Sequence, residues 1–202
     1  MEFDAALDDR RRQYRRRRRS PGRQHHRQQN TAVGFGALGA NTTGDNNTAV
    51  GKDARITATG GSGNTAGGTT ALDALTTGTN NTAVGLDALG AATTGVNNTA
   101  VGKGALLVMT VGTGNVAVGN TAADALTTGT NNVAVGLDAL GAETTGTNNV
   151  AVGKGALLVQ AAATGNTAVG TTAMDANTTG ANNVAVGLDS LGGNTIGASN
   201  TA

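Results

Sequence analysis

Residues 132–148 read NVAVGLDALGAETTGTN, and residue 149 starts the phrase again as NVAVGKGALLV. The opening asparagine recurs at Asn30, Asn47, Asn64, Asn81, Asn98, Asn115, Asn132, Asn149, Asn166 and Asn183, always 17 residues apart, and once more at Asn200. A glycine follows each of the first ten by four residues, from Gly34 to Gly187. A period kept this strictly marks one structural unit stacked on copies of itself.

Numbering each unit 1 to 17 from its asparagine exposes a short strand. Position 2 is Thr or Val, position 3 is Ala in every unit, and position 4 is Val except at Gly67. Such β-branched, small, β-branched alternation has the period of a β-strand. Positions 2 and 4 share one face, and the near-isosteric Thr/Val exchange reads as a tightly sized, mostly buried site. Alanine at position 3 points the other way, against a close neighbour. Glycine at position 5 ends the strand. Ala at position 8 and Leu at position 9, as in Ala139-Leu140, read as a second apolar contact, and glycine at position 15 introduces a turn. A helical unit is disfavoured, since each interior glycine costs about 1 kcal/mol. Seventeen residues allow two strands of about five residues and two turns, one coil of a solenoid. The fold class is therefore all-β: a parallel β-roll, or β-solenoid, of about ten coils spanning residues 30–202 and making a rod about 50 Å long. In such a stack the asparagines form a structural ladder. A superperiod of 51 residues lies over the first: Lys52, Lys103 and Lys154 match, as do Asp73, Asp124 and Asp175. Duplication of a three-coil block accounts for it.

Composition agrees with thin layers rather than an ordinary core. The 202 residues include 33 glycines, one proline, no cysteine and no tryptophan, and Phe35 is the one aromatic inside the repeats. Charge is divided: residues 1–29 hold ten arginines against four acids, while the remainder holds four basic residues against nine acids. Residues 1–29 read as a separate, disordered Arg-rich tail. Its candidate polyanion contacts are Arg10, Arg11, Arg12, Arg15, Arg16, Arg17, Arg18 and Arg19, and nucleic acid enters as a partner through this tail alone. No apolar run reaches the length of a membrane span, and no signal peptide is visible.

The phrase Asn-Thr-Ala-Val-Gly-x-x-Ala-Leu, then Thr-Thr-Gly and a new Asn-Asn-Thr-Ala-Val-Gly, resembles the head repeats of YadA-like trimeric autotransporter adhesins. It is still more similar to the Asn-Thr-Ala-Val-Gly repeats of phage tail-fibre-like and other surface proteins. The resemblance covers residues 30–202. It implies a left-handed roll, a homotrimer with chains side by side, positions 2 and 4 filling each chain's interior, and Ala at position 3 at the chain–chain contact. It also implies an extracellular, cell-surface or virion location, with a host surface or polysaccharide as the outside partner. Two departures stand against it: the unit is longer than the usual head repeat, and neck, stalk and anchor segments are absent from this sequence. Stopping at Ala202, inside an eleventh coil, the chain reads as a fragment, a truncated reading frame or an open-ended building block.

Catalysis finds no support. Both histidines, His25 and His26, lie in the tail, and no nucleophile has a base at a recognisable spacing. No cofactor or metal site is expected: Asp73, Asp124 and Asp175 recur about 14 Å apart along a stack, too far to share one ion. The reading is a non-enzymatic structural or adhesive module. The alternatives are a monomeric solenoid binding a repetitive surface such as ice or polysaccharide, and polyanion binding by the tail. For ice, position 13 supplies one threonine column, from Thr42 to Thr195, but positions 11 and 15 supply no second column on its side and position 14 projects oppositely.

Overall fold

The computed structural model describes residues 29–55 and 59–202. The Arg-rich stretch and its polyanion reading fall outside these. The chain is a β-solenoid. Ten three-residue strands, β1 (Thr31–Val33), β2 (Thr48–Val50), β3 (Thr65–Gly67), β4 (Thr82–Val84), β5 (Thr99–Val101), β6 (Val116–Val118), β7 (Val133–Val135), β8 (Val150–Val152), β9 (Thr167–Val169) and β10 (Val184–Val186), form one sheet in sequence order. Neighbours pair in parallel and in register, position on position: Val133 opposite Val150, Ala134 opposite Ala151, Val135 opposite Val152. The strands are shorter than the sequence leads one to expect. A second strand per coil is reduced to isolated parallel bridges at position 16, which join Val96, Thr113, Thr130 and Thr147.

The strand faces the opposite way from the sequence reading. Ala49, Ala66, Ala83, Ala100, Ala117, Ala134, Ala151, Ala168 and Ala185, all at position 3, are fully buried. Positions 2 and 4 look outward, with Val50 46%, Val84 42% and Val118 37% exposed. The reason is the width of the coil. Seventeen residues enclose a channel so narrow that the strand's inner side has room for a methyl group, and strand alternation then forces both flanking side chains out. The interior is completed by Ala at position 8, by position 9 (Leu72, Leu89, Leu106, Leu140, Leu157) and by position 12, buried from coil 3 to coil 9.

Corners turn without leaving the ladder. Position 5 glycines have φ from +125° at Gly34 to +145° at Gly119, and a Cβ on Gly136 would meet the Gly153 carbonyl oxygen at 2.6 Å. Positions 7, 9 and 17 are left-handed too, as at Asp138 (φ 52°), Leu140 (φ 58°) and Asn148 (φ 59°). Each turn still sends its N–H along the rod axis: Gly136 to Val118 O (2.8 Å), Asp138 to Asn120 O (3.2 Å), Leu140 to Ala156 O (2.9 Å) and Asn148 to Thr130 O (3.1 Å). A left-handed leucine costs about 1–2 kcal/mol. Complete burial of its side chain returns about 1.5–3 kcal/mol, so the conformation holds.

Position 12 divides the rod. In coils 3 to 6 it is Leu75, Ala92, Met109 and Leu126, and in coils 7 to 10 it is Glu143, Gln160, Asn177 and Asn194. The first three of that polar set are fully buried, yet joined. Glu143 Oε1 accepts the Gly146 N–H at 2.6 Å, and Glu143 Oε2 accepts Gln160 Nε2 at 2.7 Å. Gln160 Oε1 in turn accepts Asn166 Nδ2 at 2.8 Å and Asn177 Nδ2 at 3.1 Å. Such a chain of satisfied donors and acceptors removes most of the penalty for burying them.

Candidate binding faces

The recurring asparagines are inward-facing connectors. Asn132 Nδ2 donates to Gly146 O at 2.8 Å, closing its own coil across the corner, and to Asn115 Oδ1 at 3.1 Å. Its Oδ1 accepts the backbone N–H of Asn149 at 3.0 Å. The same backbone bond runs from Asn47 onto Asn30 Oδ1 (2.8 Å) through to Asn200 onto Asn183 Oδ1 (2.9 Å). The side-chain to side-chain bond is broken at Asn149, whose Nδ2 donates to Ala163 O, and at Asn166, whose Nδ2 donates to Gln160 and Gly180 instead. With Asn47 to Asn183 buried, no ligand reaches this column; it fixes coil closure and register.

Three other columns meet solvent. The strand wall presents Thr or Val at position 2 and Val at position 4 over ten rungs, about 43 Å of the rod at a strand spacing of about 4.8 Å. Position 2 is threonine in six rungs and position 4 is interrupted at Gly67, so the wall is a β-branched stripe of mixed polarity whose valines are exposed or half-buried.

Charge collects at the corner formed by positions 6, 7 and 10. Lys103 and Lys154 lie there exposed, and Lys52 Nζ sits 2.8 Å from Asp53 Oδ2. Asp73 and Asp124 are held above the usual carboxylate range by partial burial, reinforced by the neighbouring charges of Asp87 and Asp138 respectively. Asp87, Asp138 and Asp189 each accept a hydroxyl from the preceding coil, from Thr70, Thr121 and Thr172. Among the described residues no group of three or more His, Cys, Asp or Glu side chains converges as a metal site would require.

Position 13 keeps its threonines for the scaffold. Thr76 Oγ1 donates to Thr93 O at 3.0 Å, Thr127 Oγ1 to Thr144 O at 2.8 Å and Thr178 Oγ1 to Thr195 O at 2.9 Å. Position 13 is the stronger threonine column in the sequence, yet the outward pair lies beside it. Positions 14 and 16 flank the buried position 15 and both face out, as at Thr128 and Thr130 or Thr145 and Thr147. The Thr-x-Thr spacing was present in the sequence as the signal.

Arg55 is the exception inside the wall. It occupies position 9, fully buried, with one guanidinium nitrogen on Gly61 O and with Nε and Nη1 unpartnered. Burial lowers its pKa to about 10. Among the described residues no helix is long and apolar enough to cross a membrane. No protein-family model, curated protein or solved structure matches the chain.

Proposed function

We propose that this chain is a non-enzymatic structural and adhesive module: a rigid rod that self-associates along its strand wall and displays its other faces at a cell or virion surface. The observation that carries this reading is the outward-facing Thr/Val and Val wall, ten rungs long and uncovered by any other element among the described residues. Its regular pleat and β-branched side chains suit a second flat wall of the same kind, and burial of the stripe at about 25 cal/mol per Å² supplies the driving force. The trimeric stoichiometry and the surface location come from the resemblance of the repeat to YadA-like heads and tail-fibre-like proteins. The inward-facing asparagines and the ladder-bonded corners support a structural role, since each coil commits its polar groups to its neighbours.

The test is the mass in solution of the full chain by light scattering, beside a Val118→Lys/Val152→Lys variant. The wild type is expected as a trimer and the variant as a monomer with an unchanged far-UV circular dichroism spectrum. A monodisperse wild-type monomer would remove the self-association reading.

A further inference from the structure

The second outward face, at positions 14 and 16, shares no residue with the strand wall. In coils 3 to 7 it is Thr77/Thr79, Thr94/Val96, Val111/Thr113, Thr128/Thr130 and Thr145/Thr147. All ten side chains are β-branched, and all are exposed or half-buried. Buried Gly78, Gly95, Gly112, Gly129 and Gly146 lie between them, so the face carries two ranks with nothing standing between. Parallel bridges from Val96 through Thr113 and Thr130 to Thr147 hold the position 16 rank in register. The grid repeats about every 4.8 Å along the rod and about 6.7 Å across it.

Two further features separate these threonines from ordinary surface residues. The position 13 hydroxyls beside them are committed to carbonyls of the next coil, whereas none of these eight hydroxyls makes a hydrogen bond within the protein among the described residues. Charge is also kept away. Positions 13 to 17 of coils 3 to 7 contain no charged residue; Asp73, Asp87, Lys103, Asp124 and Asp138 lie at positions 6, 7 or 10, and Glu143, at position 12, is fully buried with its carboxylate accepting from Thr145 N, Gly146 N and Gln160 Nε2.

We propose that this face binds ice. Two ranks of short side chains over a buried glycine column offer a repeating surface rather than an enclosed pocket, and outward residues without charge do not suit a polyanion or a cation. What matches it is a ligand that is itself a grid. Crystalline water repeats in two directions at spacings close to those of the two ranks. The free hydroxyls bond directly to lattice waters, and the methyl groups sit between them, ordering the water they touch. Absence of charge has its own reason here: an ion holds a tight hydration shell that does not fit the lattice, and stripping it is expensive. Five consecutive coils give the repetition that recognition of a crystal plane needs, because each hydroxyl contributes little alone.

The experiment measures thermal hysteresis and partition into a growing ice front for the full chain. Beside it run Thr128→Tyr/Thr130→Tyr and Thr113→Lys on this face, and Lys103→Ala at the charged corner, each checked for fold by circular dichroism. Wild type and Lys103→Ala are expected to enter ice and to show hysteresis. The two face variants are expected to lose it severalfold with unchanged spectra. Exclusion of the wild type from ice would overturn the proposal, as would face variants that behave like wild type. So would retention on crystalline cellulose or chitin without any partition into ice, which would assign the face to a polysaccharide. The oligomeric state plays no part in these readouts, so this proposal and the strand-wall reading fail separately.

Discussion

Within one strand, Ala134 and Val135 stand next to each other and obey opposite rules. Ala134 is fully buried in a column of alanines, whereas Val135 lies in a column of valines turned toward solvent. In a larger β-domain the bigger apolar residue would be the interior one. Here the channel is too narrow, so size sorts the wall in reverse: the smallest side chain goes in, and the larger ones build an outer surface. The difference teaches that a strand's burial depends on the width of what it encloses as much as on hydrophobicity. The inner side holds the coil together, while the outer side turns toward solvent.

Removal of an inner connector gives the largest expected effect. Asn132→Ala leaves the Asn149 N–H and the Gly146 carbonyl without their side-chain partners, both inside the rod. A loss on the order of 3 kcal/mol is expected from two orphaned buried groups, read by chemical denaturation. Enlarging the inner wall comes next. Ala134→Val is expected to cost about 2 kcal/mol through overpacking, while the neighbouring Val135→Ala changes folding stability by less. Equal losses at the two positions would erase the contrast between the sides of the wall.

Arg55→Leu should act in the other direction. It restores the leucine of position 9 and removes a buried charge with two unpartnered nitrogens, so a gain of about 1 kcal/mol is expected, seen as a higher melting temperature. The same folded-state pKa, lowered to about 10, fixes the sign with pH. The folded chain binds the proton less readily than the unfolded chain, so the penalty is fully present below about pH 10 and is relieved as pH rises through that value. The advantage of the leucine variant is therefore expected to shrink in strong alkali.

Much of the fold was legible in the sequence, because the features that repeat are those the backbone requires. Glycine at position 5, with its positive φ, and asparagine at position 1, with its cross-coil bonds, cannot vary freely, and they set the period. The direction of the strand was not legible in the same way. Alternation states that two faces differ, not which of them is inside, and the usual preference for larger apolar residues in the interior pointed wrongly. Position 12 left no signal, since Leu126 and Glu143 occupy the same buried site in adjacent coils, one by packing and one by hydrogen bonding. The Thr pair at positions 14 and 16 was visible but was masked by the stronger column at position 13, whose hydroxyls belong to the ladder.

Sedimentation equilibrium tests most directly whether the outward Val wall is the assembly surface proposed for it. The full chain is predicted to sediment at three times its monomer mass, with Val118→Lys/Val152→Lys at the monomer mass and with the same circular dichroism. A wild-type chain that stays monomeric across the concentration range, or a variant that sediments as the wild type does, would contradict it.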